Sequence, residues 1–270
     1  LKRLDLKELS VMRIMWQSFV DNAPYLSRLE AYLNSIADSG TEVVVQGMSP
    51  PDRDFGRLTE LRCSVLAVDN ALQAEADGFD GFVLGHFQDP GLYPARSALS
   101  IPVIGAGEAT LHWAAQLGRR LALITIDDCF EVWHYEQADQ YGLSGRISHV
   151  VGMGAVPEDF SLAFTGDDAA YQRLRDHFVE LSEPLVAQGA DVLIPAGVLP
   201  GLLLTREHGM RVRHAPIVSC ANVPLKCAEV AIKLFDSSGL APSAGPSFAP
   251  APQRAKSDFR ALVRGGRGTS

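Results

Sequence analysis

Gly78-Phe79-Asp80-Gly81-Phe82-Val83-Leu84-Gly85-His86 and Gly189-Ala190-Asp191-Val192-Leu193-Ile194-Pro195-Ala196-Gly197 are two copies of one pattern. Each reads Gly-x-Asp, then a short apolar run, then a small residue and a terminus. The terminus is His86 in the first copy and Gly197 in the second. A second short run with an early proline follows each copy: Ile101-Pro102-Val103-Ile104-Gly105 and Ala215-Pro216-Ile217-Val218-Ser219. Apolar runs this short, bounded by glycines, read as buried strands. A duplicated α/β unit is the simplest source of such a repeat.

Outward from these runs, short apolar stretches alternate with longer amphipathic ones. Strands are expected at Val11–Trp16, Glu42–Gln46, Leu121–Ile126, Ile147–Gly152 and Ile217–Cys220. Helices are expected at Tyr25–Ala37, Leu58–Ala76, Ala109–Leu117, Phe130–Tyr141, Asp168–Gln188 and Val223–Phe235. Alternation of this kind implies βαβ units and parallel sheets. The expected fold is α/β: two pseudo-symmetric parallel-sheet lobes with the active site in the cleft between them. Lobe 1 would span 1–108 and be completed by 215–236, and lobe 2 would span 109–214. The remainder, 237–270, is rich in Pro, Ala and Gly and ends basic, which reads as a flexible tail. Only Phe259, Leu262 and Val263 hint at docking within it.

The composition is 47% hydrophobic and 21% charged, suiting a globular core, and the net charge of -8 disfavours nucleic acid and anionic membranes as partners. No apolar run is long enough to span a bilayer. Leu1-Lys2-Arg3-Leu4-Asp5 carries no secretory pattern. The four cysteines, Cys63, Cys129, Cys220 and Cys227, form no Cys-x-x-Cys pair. Reduced thiols in a cytoplasmic protein are expected, with a small-molecule substrate. Association with further copies of the chain is left open.

Ligands of parallel α/β sheets bind beyond the carboxyl ends of the strands. Helix N-termini there offer N–H donors to a carboxylate or ring carbonyl. Gln17, Ser18, Phe19, Phe87, Gln88, Thr125, Gly197 and Val198 are the substrate-binding candidates on that ground. His86 is the only histidine at an expected strand end, and imidazole can accept and return protons near neutrality. Asp89 could orient it, or cap the turn Asp89-Pro90-Gly91, which is the preferred reading. Asp127 and Cys220 are further catalytic candidates at strand ends. No dinucleotide fingerprint, Walker lysine, His-x-x-x-His pair or Gly-x-Ser-x-Gly is present. Neither cofactor nor metal is expected.

The stretch Gly85-His86-Phe87-Gln88-Asp89-Pro90-Gly91-Leu92, through Ala95-Arg96 to Ile101-Pro102-Val103-Ile104-Gly105-Ala106-Gly107-Glu108-Ala109, resembles the aspartate/glutamate racemase superfamily, nearest its hydantoin racemases. The resemblance implies two similar domains around a cofactor-free site. It also implies a cysteine at each of two facing positions, the thiols working on opposite faces of one carbon. This chain has His86 at the first position and Gly197 at the second. With both thiols gone, the expectation is one-base chemistry through His86 on a hydantoin-like ring or small carboxylate, as a hydrolase or lyase. An isomerase using His86 with a non-cysteine partner, Asp127 or Cys220, is the alternative. A binding protein without catalysis is the third reading.

Overall fold

The computed structural model describes residues 11–265. The first half of the chain builds a parallel sheet of order β2-β1-β3-β4. Its strands are β1 (Met12–Ser18), β2 (Thr41–Gln46), β3 (Gly81–Gly85) and β4 (Val103–Gly105). Helices α1 (Ala23–Ile36), α2 (Arg57–Ala76) and α3 (Leu92–Ala98) connect them, and α4 (Ala106–Leu117) leads out. The second sheet, of order β6-β5-β7, uses β5 (Leu121–Thr125), β6 (Ile147–Gly152) and β7 (Val192–Ala196). Its helices are α5 (Glu131–Gln140), α6 (Ser161–Phe164), α7 (Asp168–Ala187) and α8 (Val198–Leu203). Then α9 (Asn222–Ser238) packs on β3, β4 and α4, and α10 (Gln253–Gly265) closes the described chain.

The two quoted runs occupy β3 and β7, in separate sheets of the same local order. Ser18 pairs with Gly85 across β1 and β3, as Thr125 pairs with Ala196 across β5 and β7. His86 and Gly197 are therefore the next residues in equivalent positions. β3, β5 and β7 are buried along their whole length. Helices cover both faces of these sheets, so the strands read as unbroken apolar runs. Helix starts follow local chemistry: Asn22 Oδ1 accepts from Tyr25 N at 3.1 Å to open α1, and Asp167 Oδ1 accepts from Ala170 N at 2.9 Å to open α7.

Two expectations are corrected. The strand at Ile217–Cys220 is reduced to one bridge, Leu193 to Ile217, and Ala215–Pro216 pairs instead with Arg211–Val212 as an antiparallel step. Pro216 has no N–H to extend a ladder. The tail is not a flexible arm over 248–265. Phe248 stacks edge-on against Tyr93 at 5.4 Å, and Ala251 N donates to Ser97 O at 2.8 Å. Phe259 and Val263 then pack on the core between α2 and the first sheet, while Leu262 stays 77% exposed. Arg260 and Arg264 approach the buried Asp69 of α2 at 3.8 and 3.4 Å. The i, i+4 spacing puts the apolar pair on one helical stripe and the two arginines on a neighbouring one. No helix among the described residues is long and apolar enough to cross a membrane.

Candidate active site

β3 delivers His86 through a glycine that has no substitute. A Cβ on Gly85 would lie 2.0 Å from Trp16 Nε1, so the strand end sits flush on the fully buried indole. The His86 ring packs edge-on against Phe19, centroids 4.7 Å apart. Its Nε2 lies 3.2 Å from Asp52 Oδ2. The two side chains are only 17% and 13% exposed. Asp52 stands on the loop between β2 and α2 and is anchored by its own N–H, which donates to Phe19 O at 2.7 Å. A carboxylate at Nε2 holds the proton there and leaves Nδ1 as the basic nitrogen. Nδ1 accepts from the Gln88 N–H at a long 3.4 Å.

Asp52 was not singled out by the sequence reading. Its signal is Ser49-Pro50-Pro51-Asp52, an acidic residue in a proline-stiffened loop just past the carboxyl end of β2. Which strand-end loop folds over which strand is a tertiary fact.

His86 and Gly197 line one cavity of about 60 Å³ between the two sheets. Seven of the eight substrate-binding candidates border it: Ser18, Phe19, Phe87 and Gln88 from the first sheet's side, and Thr125, Gly197 and Val198 from the second's. Gln17 does not. Side chains alternate along a strand, so with Ser18 facing in, Gln17 points away. Its amide donates to Ser18 O and Gln46 O at 2.7 and 3.1 Å and accepts from Asn70 at 2.8 Å. The cavity opens into an outer basin of about 430 Å³, bordered by Asp21, Asn22, Arg53, Glu158 and Ser161 and sharing Tyr25, Asp52 and Leu199 with it.

The other catalytic candidates lie elsewhere. Asp89 neither orients His86 nor caps its own turn. Its buried carboxylate reaches 18 residues ahead and caps α4, accepting from Gly107 N at 2.9 Å and Glu108 N at 2.7 Å. Tyr141 Oη adds a third donor at 2.7 Å. Burial pushes the Asp89 carboxyl up to about 7 against those donors. The α4 N-terminus is thus filled from within the protein and offers nothing to a ligand. Asp127 is likewise a cap, accepting from Cys129 N at 2.8 Å. Cys220 is fully buried behind the cavity wall, its thiol donating to Gly197 O at 3.0 Å and Pro195 O at 3.4 Å. Burial pushes that thiol up to about 12, which keeps it protonated and unreactive.

Residues 22–203 match the family model described as Asp/Glu/Hydantoin racemase. A hydantoin racemase from Pseudomonas sp. (strain NS671) is 28% identical over 83 residues, which cover 31% of this chain and 33% of that protein. A hydantoin racemase from Rhizobium meliloti is 38% identical over 80 residues, covering 30% of this chain and 27% of that protein. The matches thus span about a third or less of either relative. In solved structures, allantoin racemase from Klebsiella pneumoniae superposes with a TM-score of 0.76 at 20% identity, covering 90% of this chain and 94% of that one. Allantoin racemase from Pseudomonas fluorescens gives 0.72 at 20% identity, covering 90% and 97%. At that identity the likeness is one of fold.

Proposed function

The chain belongs to the Asp/Glu/hydantoin racemase family, and from that premise we propose that it is an isomerase, inverting a carbonyl-flanked stereocentre in a hydantoin- or allantoin-type ring. Hydrolase or lyase chemistry, the first expectation once both thiols were seen to be missing, is set aside. The two curated sequence relatives are hydantoin racemases, and racemisation is isomerisation.

The observation that carries the reading is the His86–Asp52 pair, 3.2 Å apart at a small cavity whose facing wall is the bare Gly197. In the forward step the ring C–H proton moves to His86 Nδ1, and its electron pair spreads onto the neighbouring carbonyl oxygen. Asp52 stabilises the imidazolium so formed. Return of the same proton regenerates the starting face. Inversion needs a proton from the other face, and among the described lining residues the second sheet offers one polar side chain, Thr125. Water from the polar outer basin supplies that proton, and the hydroxide so formed takes the first proton back from the His86 imidazolium, which restores the neutral ring and the water.

The test is an enantiopure 5-substituted hydantoin, and separately allantoin, in deuterated water, followed by chiral chromatography and proton NMR. Inversion with deuterium at the inverted carbon is expected, with both inversion and exchange lost in His86→Ala. Folded wild-type protein that neither inverts nor exchanges either ring would overturn the proposal. So would exchange at the wild-type rate in His86→Ala.

A further inference from the structure

Behind the cavity wall a buried polar chain runs from the turn after β3 to the end of β5. Asp89, Gln137, His134 and Thr125 are 5%, 6%, 0% and 0% exposed. Gln137 Nε2 donates to the Phe87 carbonyl at 2.5 Å and to Asp89 Oδ2 at 3.3 Å. A peptide carbonyl can only accept, so the amide nitrogen must face it and the amide oxygen must face away. That oxygen lies 3.2 Å from His134 Nδ1. Nδ1 therefore carries the imidazole proton, and Nε2 is a bare lone pair 3.1 Å from Thr125 Oγ1. The Thr125 hydroxyl donates to it. The other acceptor in reach, the Ala196 carbonyl of the neighbouring strand, is longer at 3.4 Å. Burial pushes the His134 pKa down to about 4, so the neutral ring persists through the physiological range.

Thr125 thus borders the cavity with its proton turned away and only lone pairs to offer. On the opposite side Asp52 Oδ1 is buried and without a hydrogen-bond partner. No Lys or Arg borders the inner cavity among the described residues, and His86 is engaged by Asp52. Within the inner cavity a ligand carboxylate would face the Thr125 and Asp52 oxygens with no Lys or Arg beside it; Arg53 borders the outer basin alone.

We propose that His134 and Gln137 are positioning residues that commit Thr125 to accepting, so that the cavity selects a neutral ring with N–H groups directed at Thr125 and Asp52 and rejects a carboxylate. The proposal rests on the reading of the site as one for a cyclic ureide, but it concerns binding and is measured without turnover.

Unsubstituted hydantoin has no stereocentre to invert and serves as the probe. Calorimetry compares it with its 1-methyl, 3-methyl and 1,3-dimethyl forms on wild type, Thr125→Val, Thr125→Ser and Gln137→Met. The dimethyl ring should bind wild type at least about tenfold more weakly than the parent, the scale of one lost buried hydrogen bond. Thr125→Val should lose most of that discrimination and Thr125→Ser should keep it. Gln137→Met, with Thr125 intact, should lose part of it. Nitrogen-15 NMR of the wild-type protein should show His134 as the neutral Nδ1–H form from pH 6 to 8, a readout that holds even where a variant fails to fold. The proposal is overturned by equal binding of parent and dimethyl rings, by no binding of any ring, by undiminished discrimination in Thr125→Val, or by an Nε2–H signature at His134. Discriminating binding without inversion of a substituted hydantoin would support it while removing the isomerase reading.

Discussion

At the residue scale the two internal histidines are set apart by what surrounds them. His86 meets a carboxylate at the cavity edge, whereas His134 meets an amide and a hydroxyl inside the core. His86→Ala should lower turnover by about a hundredfold or more, the usual scale for losing a proton-transfer group. Asp52→Asn should lower it by about tenfold or more, because an amide can present N–H to Nε2 and cannot balance an imidazolium. Chiral chromatography under initial-rate conditions measures both, and a change within a few-fold would remove either residue from the mechanism. His134 makes a stability prediction instead. Its folded pKa, about 4, lies below the ordinary 6.5 because the ring is buried. On acidification the unfolded chain takes up this proton first, so stability is lost as pH falls from about 6.5 to 4. The full effect is roughly 3 kcal/mol. Asp89, raised to about 7, acts in the opposite direction over nearly the same range. It remains in a His134→Gln variant, so urea unfolding of the two proteins should diverge in pH dependence by the His134 share. Parallel pH profiles would count against a neutral buried ring.

At the element scale, two helices are held by groups distant in sequence. The first turn of α4 has no cap of its own; the Asp89 carboxylate supplies it. Gly107 is required there, since a Cβ would lie 2.0 Å from Phe87 O. Asp89→Ala strands two helix N–H groups and the Tyr141 hydroxyl in a dry interior. The expected cost is about 2–4 kcal/mol, read from denaturant midpoints, and a loss below about 1 kcal/mol would mean that water replaces the carboxylate. The α10 helix is held by Phe259, Val263 and the Asp69 ion pairs, on α2 and away from the cavity. A chain ending at Pro252 should melt several degrees lower yet keep wild-type turnover below its melting point. Lost turnover in the folded truncated protein would link α10 to the site.

At the scale of the whole molecule, two similar sheets present unequal walls. Gly197 has an extended φ of 170°, and a Cβ there would touch Pro200 at 3.2 Å and Ile126 at 3.4 Å, close enough to need only a small shift. The double variant His86→Cys/Gly197→Cys therefore should fold and place thiols on both sides of one cavity. It should invert a substituted hydantoin at least about tenfold faster than His86→Cys alone, since each face then has its own proton-transfer group. Equal rates would mean that the two positions do not address a common carbon.

The duplicated run, the parallel strands and the strand-end position of His86 were all legible in the sequence, because strand burial writes itself as apolar runs and strand ends mark the ligand edge. The docking of 253–265 was foreshadowed only by Phe259 and Val263, since composition registers flexibility more readily than a helical stripe of two residues. What only the tertiary structure decided is which loops meet. Asp52 reaches His86 across 34 residues, Asp89 reaches α4 rather than His86, and Cys220 falls behind the wall instead of in it. Residue type and spacing specify the strand and helix that carry a side chain. The direction in which a loop side chain points, and whether its partner is a ligand, a helix end or another side chain, is set by packing between segments that the sequence keeps far apart.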